Sequence, residues 1–235
     1  FNFNGFNNPF WLLNETSNKD IKNLLNASLT ANIRLNSLLR FRIRASTDIQ
    51  QSKGWDFTNL HSPFDIDGEY FNWSRLMTNN NFDALLSFNK KLNKDFNLNS
   101  NLGASVQDIK GERVSARASM LIAPDLASVA NARGLIGTLQ EPERKNKQAI
   151  FAMGNLGYKN WAFLEATARN EWSSALPIDN ASYFYYSLGT SVVLTDALKI
   201  NKKVLSHLKL RASFAQVGND TGFDRLYSGY YRGET

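Results

Sequence analysis

The most regular stretch of the chain is Trp161 to Asp196, WAFLEATARNEWSSALPIDNASYFYYSLGTSVVLTD, where two runs of alternating polarity flank a break at Leu176-Pro177. In the first run Ala162, Leu164, Ala166 and Ala168 share one side, and Glu165, Thr167, Arg169 and Glu171 share the other. A period of two marks a strand whose faces meet different surroundings. In the second run Phe184, Tyr186, Leu188, Thr190, Val192 and Leu194 fall opposite Ser187, Gly189 and Ser191. Together the runs predict a β-hairpin with arms of more than about ten residues. That exceeds the usual globular strand of roughly 5 to 6 residues and suits a tilted strand crossing a bilayer.

The same period recurs along the chain. Leu25, Ala27, Leu29, Ala31, Ile33 and Leu35 alternate with Asn26, Ser28, Thr30, Asn32 and Arg34; after a tight reversal at 36–38, Leu39, Phe41, Ile43, Ala45, Thr47 and Ile49 alternate with Arg40, Arg42, Arg44, Ser46, Asp48 and Gln50. Further strands are expected over 80–92, 96–108, 147–158 and 208–217, with tight turns at 93–95 and 159–160. The expected fold is all-β, an antiparallel sheet of about eight strands.

The connectors separate architectures. They are short at 36–38, 93–95 and 159–160 but long at 51–78, 109–146 and beyond 218, an asymmetry shared with transmembrane β-barrels. The connectors 174–183 and 195–207 fit it less well. On this reading 1–22 is an extracellular loop entering the barrel, 23–217 holds the strands, and 218–235 begins a further extracellular loop. Within the second excursion, DLASVANAR (125–133) is expected to form a short helix with Pro124 and Asp125 at its start.

Composition narrows the picture. The chain has 235 residues, 43% of them hydrophobic, enough for a sizeable core. It has no cysteine, so a disulfide framework and thiolate metal sites are excluded. No apolar run approaches the roughly 18 residues of a transmembrane helix, which leaves a barrel open. The chain begins at Phe1 without an initiator Met or signal pattern and ends in a Gly- and Tyr-rich segment, so it is expected to be a piece of something longer. The net charge is +6, but lysines such as Lys90, Lys91, Lys94, Lys159, Lys199, Lys202 and Lys203 sit at connectors instead of forming an aromatic-interleaved stripe, and no nucleic-acid partner is expected.

Candidate chemistry is sparse. His61 and His207 lack spaced zinc ligands, and Asp65, Asp67 and Glu69 in FDIDGEY lack the 12-residue calcium ladder. Ser173 and Ser174 have no base in a recognisable motif, and Gly218 belongs to no phosphate-cradling pattern. No enzyme, cofactor or metal is expected. The most charged polar face is Arg40, Arg42 and Arg44, with Arg34 across the turn; in a barrel it looks into the lumen, with Glu165, Arg169 and Glu171 further along. Tyr158, Trp161, Trp172, Phe184 and Tyr186 lie at strand ends, where barrels carry aromatic girdles. The excursion aromatics Trp55, Phe57, Tyr70 and Trp73, and Trp11 near the start, have two readings: faces that contact a ligand, or the internal packing of long loops.

Four stretches, NPFWLLNE (Asn8 to Glu15), RNEWSSALP (Arg169 to Pro177), NASYFYYSLGTSVVLTD (Asn180 to Asp196) and KLRASFAQVGNDT (Lys209 to Thr221), resemble in this order the barrel of SusC/RagA-type TonB-dependent outer-membrane transporters of Bacteroidetes. Glu171 stands where that family more often has Asp, and Tyr186 where it more often has Pro. The resemblance implies about a third of a plugged barrel of roughly 22 strands in a Gram-negative outer membrane. It implies import of a glycan or peptide, a SusD-like surface lipoprotein as partner, outer-membrane lipid around the wall, and TonB acting through a region outside this chain. The alternative is a soluble β-sandwich or adhesin-like carbohydrate-binding module, whose apolar faces would meet across a dry core.

Overall fold

A computed structural model describes residues 8–61, 66–134, 136–201, 203–223 and 226. They form one sheet of eight strands in sequence order: β1 (Thr16–Arg34), β2 (Leu39–Thr58), β3 (Glu69–Lys91), β4 (Phe96–Ser119), β5 (Ile136–Tyr158), β6 (Ala162–Ser173), β7 (Ser182–Val193) and β8 (Lys209–Ala215). Helix α1 (Pro9–Glu15) precedes β1, and a single turn, α2 (Leu194–Ala197), follows β7. Among the described residues no helix is long and apolar enough to cross a membrane, which says nothing of strands.

The order follows from the turns. Asn36 Oδ1 accepts from the Leu38 and Leu39 amides, and Asn93 Oδ1 from the Asp95 and Phe96 amides, so the same side-chain-capped reversal joins β1 to β2 and β3 to β4. Between β5 and β6, Lys159 and Asn160 both have positive φ (47° and 61°), the pair of left-handed residues that matches a hairpin's twist. The strain at Lys159 is offset by its amide bond to the Asp95 carbonyl at 2.7 Å.

The hairpin pairs as its polarity predicts. Ala166 lies opposite Leu188, which lies opposite Phe214; Leu164, Thr190 and Ala212 form the next row, and Ala162, Val192 and Leu210 the next. Among the described residues this apolar face is exposed: Leu164 is 53% exposed, Leu188 51%, Phe214 62% and Leu210 63%. A sandwich needs a second sheet to bury such a face, yet all eight strands belong to one.

Several expected boundaries are corrected. β1 to β5 run for 19 to 24 residues, far longer than their alternating cores. The supposed loops 51–78 and 109–146 are mostly strand, since β2 runs to Thr58, β3 begins at Glu69, β4 runs to Ser119 and β5 begins at Ile136. Segment 1–22 contains α1 and the start of β1. Alternation fades in these extensions because apolar and polar residues no longer sort onto opposite faces, while the strands continue. The helix expected at 125–133 does not form. Asp125 has φ of 59°, and the Asn131 side chain takes over the backbone groups of the excursion, accepting from Ile122 and Ala123 and donating to Ala123 and Leu126.

The chain divides into two compact units. Unit 1 comprises Phe1–Asn26, Thr47–Asn79 and Ile109–Arg144; unit 2 comprises Ala27–Ser46, Asn80–Asp108 and Lys145–Thr235. Unit 1 is held by a small apolar cluster of Phe57, Tyr70, Ala118 and Leu121, with Trp55, Leu60, Val129 and Ala132 packed against it. Unit 2 has polar clusters on the sheet face opposite its exposed apolar rows.

Candidate functional site

In unit 2 the polar sides of β5, β6 and β7 share one face, because Ala149 pairs with Glu171 and Glu171 with Tyr183, while Phe151 pairs with Arg169 and Arg169 with Tyr185. Arg169 donates to Glu171 Oε1 at 2.6 Å and lies over the Phe151 ring, 5.2 Å from its centroid. Glu171 also accepts from the hydroxyls of Tyr183 and Tyr185, the latter at 3.1 Å. Glu165, nearer the turn, accepts from Asn155 Nδ2 at 2.9 Å. Of the expected inward-facing residues, Glu165, Arg169 and Glu171 are therefore on one face.

Across this face runs a strap that sequence reading missed. After β8 the Gln216 amide still bonds the Tyr186 carbonyl at 2.9 Å, but the chain then leaves the ladder. Gly218 crosses the stacked Tyr183 and Tyr185 rings so closely that a Cβ there would stand 2.6 Å from Tyr183 Cδ2. Two residues on, the Asp220 carboxylate meets Lys145 Nζ at 2.8 Å and Lys147 Nζ at 3.1 Å, and accepts from Ser173 Oγ at 2.6 Å. Its side chain is 3% exposed. Burial alone would raise its pKa, but hydrogen bonds from Lys145, Ser173 and Lys147 and the Lys147 charge hold it down to about 2. Lys145 also donates to the Thr221 carbonyl at 2.8 Å.

Beside the strap, a polar depression of about 300 Å3 is lined by Asp83, Gln107, Lys147, Phe151, Arg169 and Glu171, among others. Asp83 is bound by Arg44, through Nε at 2.7 Å and Nη2 at 3.0 Å. The other three arginines differ. The Leu35 to Leu39 hydrogen bond sets Arg34 beside Arg40, and Arg34, Arg40 and Arg42 line a shallow hollow of about 200 Å3 with Leu85 and Ser87. Like charges facing each other across strands repel and call for a counter-ion.

The expected ligand-contact aromatics lie in unit 1, and on regular elements: Trp55 and Phe57 on β2, Tyr70 and Trp73 on β3, Trp11 on α1. Phe57 and Tyr70 are buried in the apolar cluster, and Trp55 packs on it 6.3 Å from Tyr70, ring to ring. Trp55, Tyr70 and Trp73 also border a cavity of about 530 Å3 with Lys19, Lys53 and Asn72. Nearby, Asn59 ties Glu15 to Asp125, donating to both at 2.6 and 2.7 Å. Of the faint calcium set, Asp65 lies outside the described residues, and Glu69 pairs with Arg117 at 2.6 Å. Among the described residues no group of His, Asp or Glu could hold a metal ion.

The strand-end aromatics of unit 2 gather in two places. Near the β5–β6 turn Phe96, Tyr158 and Trp161 meet in sequence, the first pair tilted and the second edge to face, with centroids 4.9 and 5.3 Å apart. At the other end of the hairpin Phe184, Tyr186 and Phe214 follow one another at 6.2 Å.

Comparison with known proteins matches fold alone. No family model and no curated protein matches the sequence. Among solved structures, one of the RagAB peptide transporter is 18% identical with a TM-score of 0.75, covering 91% of this chain and 24% of that one. The RagAB peptide importer in its "closed-closed" state is 17% identical with a TM-score of 0.75, covering 92% of this chain and 24% of that one. Its "open-open" state is 17% identical with a TM-score of 0.72, covering 88% and 23%. The chain thus spans about a quarter of the length of these neighbours, and has the fold of a segment of such a transporter.

Proposed function

We propose that this chain is part of the barrel wall and outer loops of a SusC/RagA-type TonB-dependent importer in a Gram-negative outer membrane. The observation that carries the reading is the single up-and-down sheet of the described residues, whose apolar rows, from Leu164 to Phe214, are exposed while its opposite face carries the cluster of Arg169, Glu171, Lys145, Lys147 and Asp220. Lipid is a solvent that suits such a face. The fold shared with the RagAB structures supports it, as does the pairing of aromatics at both ends of the hairpin.

Import moves a cargo without making or breaking bonds. The cargo is a glycan or a peptide; the neighbours of like fold are peptide transporters. A SusD-like lipoprotein caps the outer loops, and TonB acts through a region outside this chain. In this reading Arg34, Arg40 and Arg42 look into the lumen and take their counter-charge from carboxylates of a plug, whereas Arg44 is already neutralised by Asp83. The ligand-contact role narrows to Trp55, Tyr70 and Trp73 around their cavity, since Phe57 is committed to packing.

The test is orientation in the full-length protein. Nitroxides at Ile43 and Arg42 should differ, with Ile43 relaxed by oxygen dissolved in lipid and Arg42 by a water-soluble nickel chelate. If Arg42 proves to be the lipid-exposed position, the register falls, and if neither position meets lipid, the barrel reading falls.

A further inference from the structure

Asp220 sits among its donors as a bound ligand would. Three groups converge on one carboxylate: Lys145 Nζ at 2.8 Å, Lys147 Nζ at 3.1 Å and Ser173 Oγ at 2.6 Å. A carboxylate is an acceptor with two oxygens, and two ammonium groups with one hydroxyl satisfy it. What differs between the partners is their support. The backbone carrying Lys147 and Ser173 is fixed by the sheet independently of the strap: Lys147 pairs with Ser173, the Ser173 amide bonds the Ala181 carbonyl at 2.9 Å, and the Ser174 amide bonds the Asn146 carbonyl at 2.9 Å, while Lys145 Nζ also donates to the strap's Thr221 carbonyl at 2.8 Å. The Asn146 amide returns a bond to Ser174 Oγ at 2.9 Å. Asp220, by contrast, arrives on irregular chain flanked by exposed Gln216, Val217 and Asn219, with Gly218 lying on tyrosine rings. Segments with few buried contacts open at low cost.

We propose that Lys145, Lys147 and Ser173 form a carboxylate-binding site on the inner face of β5 and β6, occupied by Asp220 of the 216–223 strap and open to a carboxylate of the cargo when the strap lifts. This rests on the reading that the polar face looks into the lumen, where cargo passes. Lysines suit such a role because their point charges accept a carboxylate in more than one orientation, unlike the planar fork of arginine. The tether gives Asp220 an effective concentration on the order of millimolar, so a cargo must present its carboxylate above that level or bind elsewhere at the same time.

The experiment uses the full-length protein in detergent with acetate as the probe, read by saturation-transfer NMR. Asp220→Ala should gain an acetate signal that wild type lacks, and adding Lys145→Gln and Lys147→Gln should abolish it. A nitroxide at Val217 should sharpen from a restricted to a free spectrum in Asp220→Asn, which keeps the side-chain volume and removes the charge. An equal acetate signal in wild type and Asp220→Ala, its persistence without the lysines, or an unchanged Val217 spectrum would overturn the proposal. A heat-modifiable band reports folding in each variant; should Asp220→Ala lose it, the acetate comparison is made with Asp220→Asn. Absence of that band in wild type would sink the barrel reading, while the acetate result is judged separately.

Discussion

Unit 1 and unit 2 solve the problem of ordering irregular chain in opposite ways. In unit 1 the excursion 120–134 is held by an apolar cluster, Phe57, Tyr70, Ala118 and Leu121, finished by two buried asparagines, Asn59 and Asn131. In unit 2 the strap 216–223 is held by one buried carboxylate between two lysines and a serine. Apolar burial is non-directional and insensitive to pH, whereas a charge clamp is directional and titrates. The difference teaches which segment is built to stay and which is built to be released.

The largest expected effect breaks the apolar side of the comparison. Phe57→Ala removes the ring at the centre of the unit 1 cluster and should cost about 3–5 kcal/mol locally, as large-to-small core changes do. Amide hydrogen exchange should rise at Leu121 and Arg133, whose amides bond the Asp67 and Met120 carbonyls, and should be unchanged at Lys147 and Ser173. A loss of protection spread evenly over both units would mean that the cluster is not a separate element of order.

Acid should break the charged side alone. The Asp220 carboxyl is depressed to about 2 in the folded chain, against about 3.9 when free. A depressed acid contributes stability that is present above its free pKa and is lost as pH falls through the folded one, so the strap should be fully latched above about pH 4 and released progressively toward about pH 2. At about 1.4 kcal/mol per tenfold change in proton affinity, the latch contributes on the order of 2 kcal/mol at neutral pH. The Val217 nitroxide should follow this titration reversibly, and Asp220→Asn should give the released spectrum at every pH. A wild-type spectrum constant down to pH 2 would separate the strap from its carboxylate.

Much of this was legible in the sequence wherever one face differs from the other. The alternation of Ala162 to Ala168 and of Phe184 to Val192 announced the hairpin and the shared face of Glu165, Arg169 and Glu171, and the three tight turns fell where Asn36, Asn93 and Lys159-Asn160 stand. The strand extensions were not legible, because from Gln51 to Thr58 and from Glu69 to Asn79 apolar and polar residues mix on both sides of the strand and period two vanishes. Phe57 and Tyr70 looked like loop residues for the same reason. The strap left a weaker trace: Gly218 and Asp220 follow the last alternating run, and Lys145 and Lys147, spaced to share a strand face, carry the opposite charge. Nothing in the spacing alone joins residues 75 positions apart.

The smallest effect concerns the arginines, and it tests whether unit 2 is complete as a charge system. Arg44 and Asp83 form a two-pronged ion pair, but their side chains are 48% and 24% exposed, so solvent screening keeps its contribution small. Arg44→Ala in the full-length protein should therefore lower the urea midpoint slightly, and the loss should disappear when Asp83→Ala is already present. Arg42→Ala should add to Asp83→Ala without coupling, because Arg42 does not share that carboxylate. If plug carboxylates face Arg34, Arg40 and Arg42, removing Arg42 should also cost more than removing Arg44, since its partner would then be left without a cation in an enclosed space. Equal and small losses at both positions would leave the arginines merely solvated and remove the charge argument for a plug against this wall.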